Sequence, residues 1–320
     1  MAENSFEDFQ RRIQELYQQQ KYTQAYTLAK KNTGRFPEQT PIVNYWRMCM
    51  AVRVGELQEA LQLLSHILAS GFWYGETLLR KSPSLQPLQG NSEFEDLVHK
   101  NREQQIKDQE QLFPLITLRS KGGCQDDEHP CPLLIALHGN GTTAQNSVDF
   151  WKPAASAGWL VGIPQSSQAM WKDAYLWSDL DVARTEIEQH FALLSRQYAA
   201  DPGRTVLAGH SMGGELALWL ALSGALDVRG AIAVGPGGPL MDNPESWAEL
   251  IQIYQGRPLR VYLIYGAADQ TIPQENLPVL ADMFSKAGFA CEVESLPGVG
   301  HEYEPVYIAP FLRGLKYILE

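Results

Sequence analysis

Ser211 stands in Gly209-His210-Ser211-Met212-Gly213, a G-x-S-x-G spacing. An apolar run, Thr205-Val206-Leu207-Ala208, precedes it, and a helical pattern, Glu215-Leu216-Ala217-Leu218-Trp219-Leu220, follows. A serine hydroxyl is a weak nucleophile at neutral pH; it needs a base, and the base needs an orienting carboxylate. Strand, sharp turn and helix would lift the hydroxyl above a sheet, and Gly209, Gly213 and Gly214 suit that turn because they carry no Cβ. The other reading is an inert serine in a glycine-rich packing turn. In such a layout the acid and then the histidine follow the serine. One histidine lies downstream, His301, in Gly298-Val299-Gly300-His301-Glu302-Tyr303. Asp269 follows the apolar run at 260–265 and precedes Pro273, which can open a helix. Asp242 falls in a loop and Asp282 in mid-helix, so both fit less well. His301 as a surface residue and Asp269 as a helix cap are the plainer alternatives. His210 adjoins the serine, and its side chain is expected to point away from the reacting face.

A tetrahedral intermediate needs donors for its oxyanion. One expected donor is the backbone N–H of Met212. The second should come from the loop after the first clear apolar strand, His138-Gly139-Asn140-Gly141, at Asn140 or its neighbour Gly139. That loop resembles the glycine-rich oxyanion loops of esterases, with Asn140 in place of one glycine.

These residues must be carried on a scaffold. After residue 110, short apolar runs at 133–137, 159–163, 205–208, 231–234, 260–265 and 291–296 read as strands. Helical patterns lie at roughly 147–157, 180–198, 212–224, 273–287 and 305–319. Strand alternating with helix over some 200 residues predicts an α/β fold, a mainly parallel sheet covered on both faces. Four motifs, L-H-G-N-G, G-H-S-M-G-G, Y-G-A-A-D-x-x-I-P and G-x-G-H-E-Y, make residues 111–320 similar to the α/β-hydrolase fold. The nearest branch in pattern is that of carboxylesterases, acyl-thioesterases and dienelactone hydrolases. The resemblance implies a Ser211–His301–Asp269 triad and an acyl-enzyme formed from a carboxylic ester or thioester. It needs no cofactor. A peptidase resembling the prolyl-oligopeptidases, and a non-catalytic interaction protein, are the rival readings. In Met170-Trp171-Lys172-Asp173-Ala174-Tyr175-Leu176-Trp177, the aromatics Trp171, Tyr175 and Trp177 either wall a substrate pocket or fill the core beneath a long loop.

Residues 1–110 read as an all-α module. Phe6, Phe9, Ile13, Leu16 and Tyr17 share one helical face. Tyr22 and Leu57 lie 35 residues apart, as do Ala25 and Ala60, and this period resembles the tetratricopeptide repeat, although the first unit lacks the usual turn glycine. Such a module either packs on its neighbour or also captures a protein or peptide partner. The boundary is expected near residues 105–115, in the polar Lys107-Asp108-Gln109-Glu110-Gln111 stretch.

The chain has 320 residues and a net charge of −11. Residues 1–110 carry 13 basic and 14 acidic side chains, against 13 and 23 in residues 111–320. That disfavours nucleic acid and anionic membranes as partners, and weakly favours a neutral or cationic small-molecule substrate. The acidic start, Met1 to Asp8, lacks the basic region of a signal peptide, and no apolar run is long enough to span a membrane. Cys49, Cys124, Cys131 and Cys291 are too few for a disulfide scaffold, so free thiols in a reducing cytoplasm are expected, Cys124 and Cys131 being the pair that could join if oxidised. The histidines and cysteines show no metal-ligand spacing.

Overall fold

The computed structural model describes residues 5–121, 123–124, 129–273, 275–301, 303 and 305–320. Met1 to Asn4, Gln274 of the expected 273–287 helix and Glu302 of the G-H-E-Y motif lie outside the described residues. The described residues divide into two compact units: those up to Gln111 together with Ala169–Lys172, and Leu112–Gln168 together with Asp173–Glu320.

The first unit contains α1 (Phe6–Gln18), α2 (Tyr22–Lys31), α3 (Thr40–Arg53), α4 (Leu57–Ala69), α5 (Glu76–Lys81) and α6 (Ser92–Gln109). Phe9, Ile13 and Leu16, one face of α1, are buried. The 35-residue period has a backbone counterpart. The N–H of Lys21 bonds to the carbonyl of Leu16, and that of Glu56 to Ala51, so α1 and α3 end in the same six-residue closure. The left-handed residue of that closure is Gln20 (φ 57°) in the first unit and Gly55 (φ 88°) in the second. Ala25 and Ala60, one turn into the following helices, are completely buried. The polar stretch at 107–111 is mostly the last turn of α6 rather than a linker; Asp108 accepts from the indole N–H of Trp73 (2.8 Å).

The second unit runs β1 (Leu115–Leu118), β2 (Cys131–Leu137), α7 (Ala144–Ser156) and β3 (Leu160–Pro164). Then come β4 (Ala169–Trp171), which belongs to the helical unit, β5 (Ala174–Tyr175), α8 (Leu180–Gln197), β6 (Ala200–His210) and α9 (Met212–Ser223). It finishes with β7 (Gly230–Val234), α10 (Ala248–Tyr254), β8 (Arg260–Gly266), α11 (Asn276–Lys286), β9 (Ala290–Leu296) and α12 (Ile308–Leu319). Seven strands pair in the order β1-β3-β2-β6-β7-β8-β9, with β1 antiparallel to β3 and the remaining pairs parallel. Alternate side chains serve alternate faces: Leu133, Ile135 and Leu137 join the core that contains Leu216 and Phe284, while Leu134 and Ala136 join that of Trp151 and Phe311.

The strand order reverses between β2 and β6, because β3 lies on one side of β2 and the later strands on the other. Ligands of open parallel sheets bind at the carboxyl ends of strands beside such a reversal. One expectation is corrected here: Cys124 and Cys131 are joined in a disulfide, and only Cys49 and Cys291 are free. Cys124 turns back through a left-handed φ of 59°, which brings it to the start of β2, with a Cα–Cα distance of 5.2 Å. Among the described residues no helix is long and apolar enough to cross a membrane.

Candidate active site

The elbow after β6 is built as its glycines require. Ser211 has φ 54° and ψ −125° and caps α9. A non-glycine residue held there is strained, a state that persists only where its surroundings enforce it. A Cβ at Gly209 would run into the backbone of Gly213, and one at Gly213 into the carbonyl of His138. The strand, the helix and the loop after β2 thus approach at distances that only glycine permits.

Ser211, Asp269 and His301, which lie after β6, β8 and β9, converge. His301 Nε2 is 3.0 Å from Ser211 Oγ, and His301 Nδ1 is 2.7 Å from Asp269 Oδ2. The carboxylate accepts from Nδ1–H, which leaves the Nε2 lone pair facing the hydroxyl. Asp269 is 4% exposed, and its other oxygen accepts from the amides of Thr271 (2.7 Å) and Ile272 (3.3 Å). One oxygen thus holds the turn at 271–272 and the other faces the histidine; α11 begins only at Asn276, so Asp269 is not its cap. At Gly266, a Cβ would strike the carbonyl of Val299, so the loop bearing His301 rests directly on the end of β8.

The loop after β2 is fixed from behind. The indole N–H of Trp177 donates to the carbonyl of His138 (2.9 Å), and the N–H of Gly141 donates to the carbonyl of Tyr175 (2.8 Å). His138 Nε2 accepts from the amide of Ser166 (3.3 Å), so Nδ1 carries the proton and donates to the carbonyl of Gly139 (2.8 Å). Complete burial pushes its pKa down to about 4, keeping the ring neutral. Gly139 is buried and Asn140 is exposed. Tyr175 and Trp177 are each 1% exposed, so they fill the core under this loop rather than walling open space. Trp171 belongs to the helical unit, where it bridges to Tyr74. Met212 is half-buried, and its sulfur lies 3.3 Å from the amide nitrogen of Trp177.

Two further features escaped the sequence reading. Gly235-Pro236-Gly237-Gly238, after β7, lies against the elbow: the amide of Gly237 donates to the carbonyl of Ser211 (3.2 Å), and a Cβ at Gly237 would stand 3.9 Å from Ser211 Oγ. Its place after an apolar strand was the available signal. Glu215, one turn beyond the serine, is 4% exposed and accepts from the amide of Met241 (2.8 Å). Burial raises its pKa to about 7, although the Met241 and Leu240 amides pull the other way. Among the described residues, no group of three or more His, Cys, Asp or Glu side chains is arranged to hold a metal ion.

Comparison with known proteins agrees with this architecture. Residues 6–108 match the A/B hydrolase-like N-terminal domain, and residues 147–305 match the dienelactone hydrolase family. No curated protein matches the sequence. An uncharacterized protein from Bacillus cereus ATCC 10987 shares 22% identity over 98% of each chain, with a TM-score of 0.54. A fluorophosphonate-binding serine hydrolase of Staphylococcus aureus shares 14% identity, over 64% of this chain and 92% of that one (TM-score 0.50). Esterase PE8 shares 18%, over 64% of this chain and 97% of that one (TM-score 0.52). At these identities the shared property is the fold. The fold is that of an α/β-hydrolase, and its two parts match the A/B hydrolase-like N-terminal domain and the dienelactone hydrolase family.

Proposed function

For an α/β-hydrolase built this way, we propose the hydrolysis of carboxylic esters or thioesters of small molecules, with Ser211 as nucleophile, His301 as base and Asp269 as the orienting acid. The observation that carries this reading is the unbroken line from Asp269 Oδ2 through His301 to Ser211 Oγ, at 2.7 and 3.0 Å. His301 takes the hydroxyl proton as Ser211 attacks the carbonyl carbon, then returns it to the departing alcohol or thiol. Water repeats the sequence on the acyl-enzyme and regenerates Ser211. The amides of Met212 and Asn140 are the proposed oxyanion donors: the first opens α9, where amides lack helical partners, and the second lies where its loop turns from buried Gly139 to exposed backbone.

Labelling with a fluorophosphonate probe followed by mapping of the modified residue tests the assignment. The expected site is Ser211, and Ser211→Ala should abolish both labelling and hydrolysis of p-nitrophenyl acetate. Labelling elsewhere, or activity surviving in the variant, would overturn it. A proline-containing chromogenic peptide in the same assay discriminates the peptidase reading.

A further inference from the structure

His210 occupies an unusual place beside this proposed triad. Its Nε2 lies 2.6 Å from the backbone carbonyl of His301, ninety-one residues along the chain. A carbonyl only accepts, so Nε2 carries the proton and Nδ1 is a bare lone pair. The residue is 5% exposed, and Nδ1 has no hydrogen-bond partner among the described residues. The ring centroid stands 3.9 Å from that of Tyr303 and 5.0 Å from that of His301. A Cβ on Gly139 would lie 3.1 Å from Nδ1, and one on Gly235 would lie 3.8 Å from Nε2. The loops after β2, β7 and β9 therefore all meet on this imidazole, which the elbow itself supplies.

We propose that His210 is a positioning residue: by holding the carbonyl of His301, it fixes the backbone that aims the base at Ser211. The inference deepens the triad reading and rests on it. The side chain of His301 bonds only at its two nitrogens, one of them to the hydroxyl that must react, so its aim depends on its own backbone. Misplacing a base by about 1 Å costs on the order of 100-fold in rate. A neutral donor suits the task, because a second cation beside His301 would oppose the imidazolium formed during attack. Among the described residues, the titratable groups facing the ring are His301 and Tyr303 from the loop after β9 and Asp269 from the loop after β8. Burial first, and then the neighbouring His301, keep His210 neutral, with its pKa lowered to about 4.

The test compares H210F, which fills the space without a donor, with H210Q, whose amide nitrogen reaches about as far as Nε2. Steady-state hydrolysis of p-nitrophenyl acetate, fluorophosphonate labelling rate and thermal unfolding are measured for each. H210F should keep KM within about twofold and lose about 10- to 100-fold in kcat. H210Q should recover most of that loss. If H210F does not fold, H210M replaces it with the same expectations. Wild-type kcat in the donor-less variant, or equal losses in it and in H210Q, would overturn the proposal. Wild-type protein that neither labels at Ser211 nor hydrolyses the ester overturns the triad reading and this one with it; a labelled wild type with an equally fast H210F overturns this one alone.

Discussion

Asp269 uses its two carboxylate oxygens for different tasks, one for the amides of Thr271 and Ile272 and one for His301. Asp269→Asn keeps one acceptor for the turn but can present an amide N–H to the imidazole, favouring the wrong tautomer. A loss of about 10⁴ in kcat with unchanged folding is expected, measured by ester hydrolysis and circular dichroism; a near-normal rate would move the acid role elsewhere. Glu215 supports a prediction about stability. Its folded pKa, about 7, lies above the ordinary value of 4.5, so the folded state holds a proton that the unfolded chain has released. That contribution is complete below about pH 4.5 and is lost as pH rises through about 7. Wild-type protein should therefore lose stability relative to Glu215→Gln between pH 4.5 and 7, by up to about 3 kcal/mol, as read from urea midpoints at the two ends. A constant difference between the two proteins would contradict this. Ser211, Asp269 and His301 were legible in the sequence because each sits in a short local pattern at a strand end. His210 and Glu215 were not, since their partners lie 91 and 26 residues away and no local spacing encodes them.

At the scale of elements, the strands of the sheet core were legible where both faces are buried, because continuous apolar runs mark them. β1 and α10 were missed, as were the two- and three-residue strands β5 and β4. β1 is a four-residue edge strand of half-buried residues, and α10 has seven residues and only Ile251 fully buried. Neither is long enough to show a period. For the disulfide, the pair was legible but its state was not: the cysteine count pointed to free thiols, and the left-handed turn at Cys124 that brings it to Cys131 has no signal in composition. In the helical unit, the recurring closure lets two positions be compared directly. Gln20 holds at φ 57° what Gly55 holds at φ 88°, at a cost to a side-chain-bearing residue of about 1–2 kcal/mol. Gln20 is exposed. Gln20→Gly should stabilise the protein by about 0.5–1 kcal/mol, after the flexible glycine's own entropy loss. A lowered melting temperature would show that Gln20 holds something its conformation does not reveal.

For the whole molecule, composition suggested a near-neutral helical part and an acidic catalytic one, but not that the division is interleaved. Ala169–Lys172 sit in the helical unit: the amide of Gly75 donates to the carbonyl of Met170 (2.6 Å), that of Lys172 to the carbonyl of Trp73 (3.1 Å), and Lys172 pairs with Asp108 (3.1 Å). Gly75 must be glycine here, since a Cβ would collide with the carbonyl of Ala169. A chain beginning at Leu112 would leave this segment without those partners. It should melt several degrees lower and hydrolyse esters more slowly than the full chain; equal melting temperature and activity would show that the segment's contacts are dispensable. The interleaving also sets a timetable. Domains emerging from the ribosome fold in order of synthesis, at roughly 5–20 residues per second. The helical unit leaves first, yet its last four residues are made roughly 60 positions after Gln111, a delay on the order of 3–12 s. During that interval Trp73, Gly75 and Asp108 wait for their partners, so the first half of the protein cannot be finished until much of the second has been made.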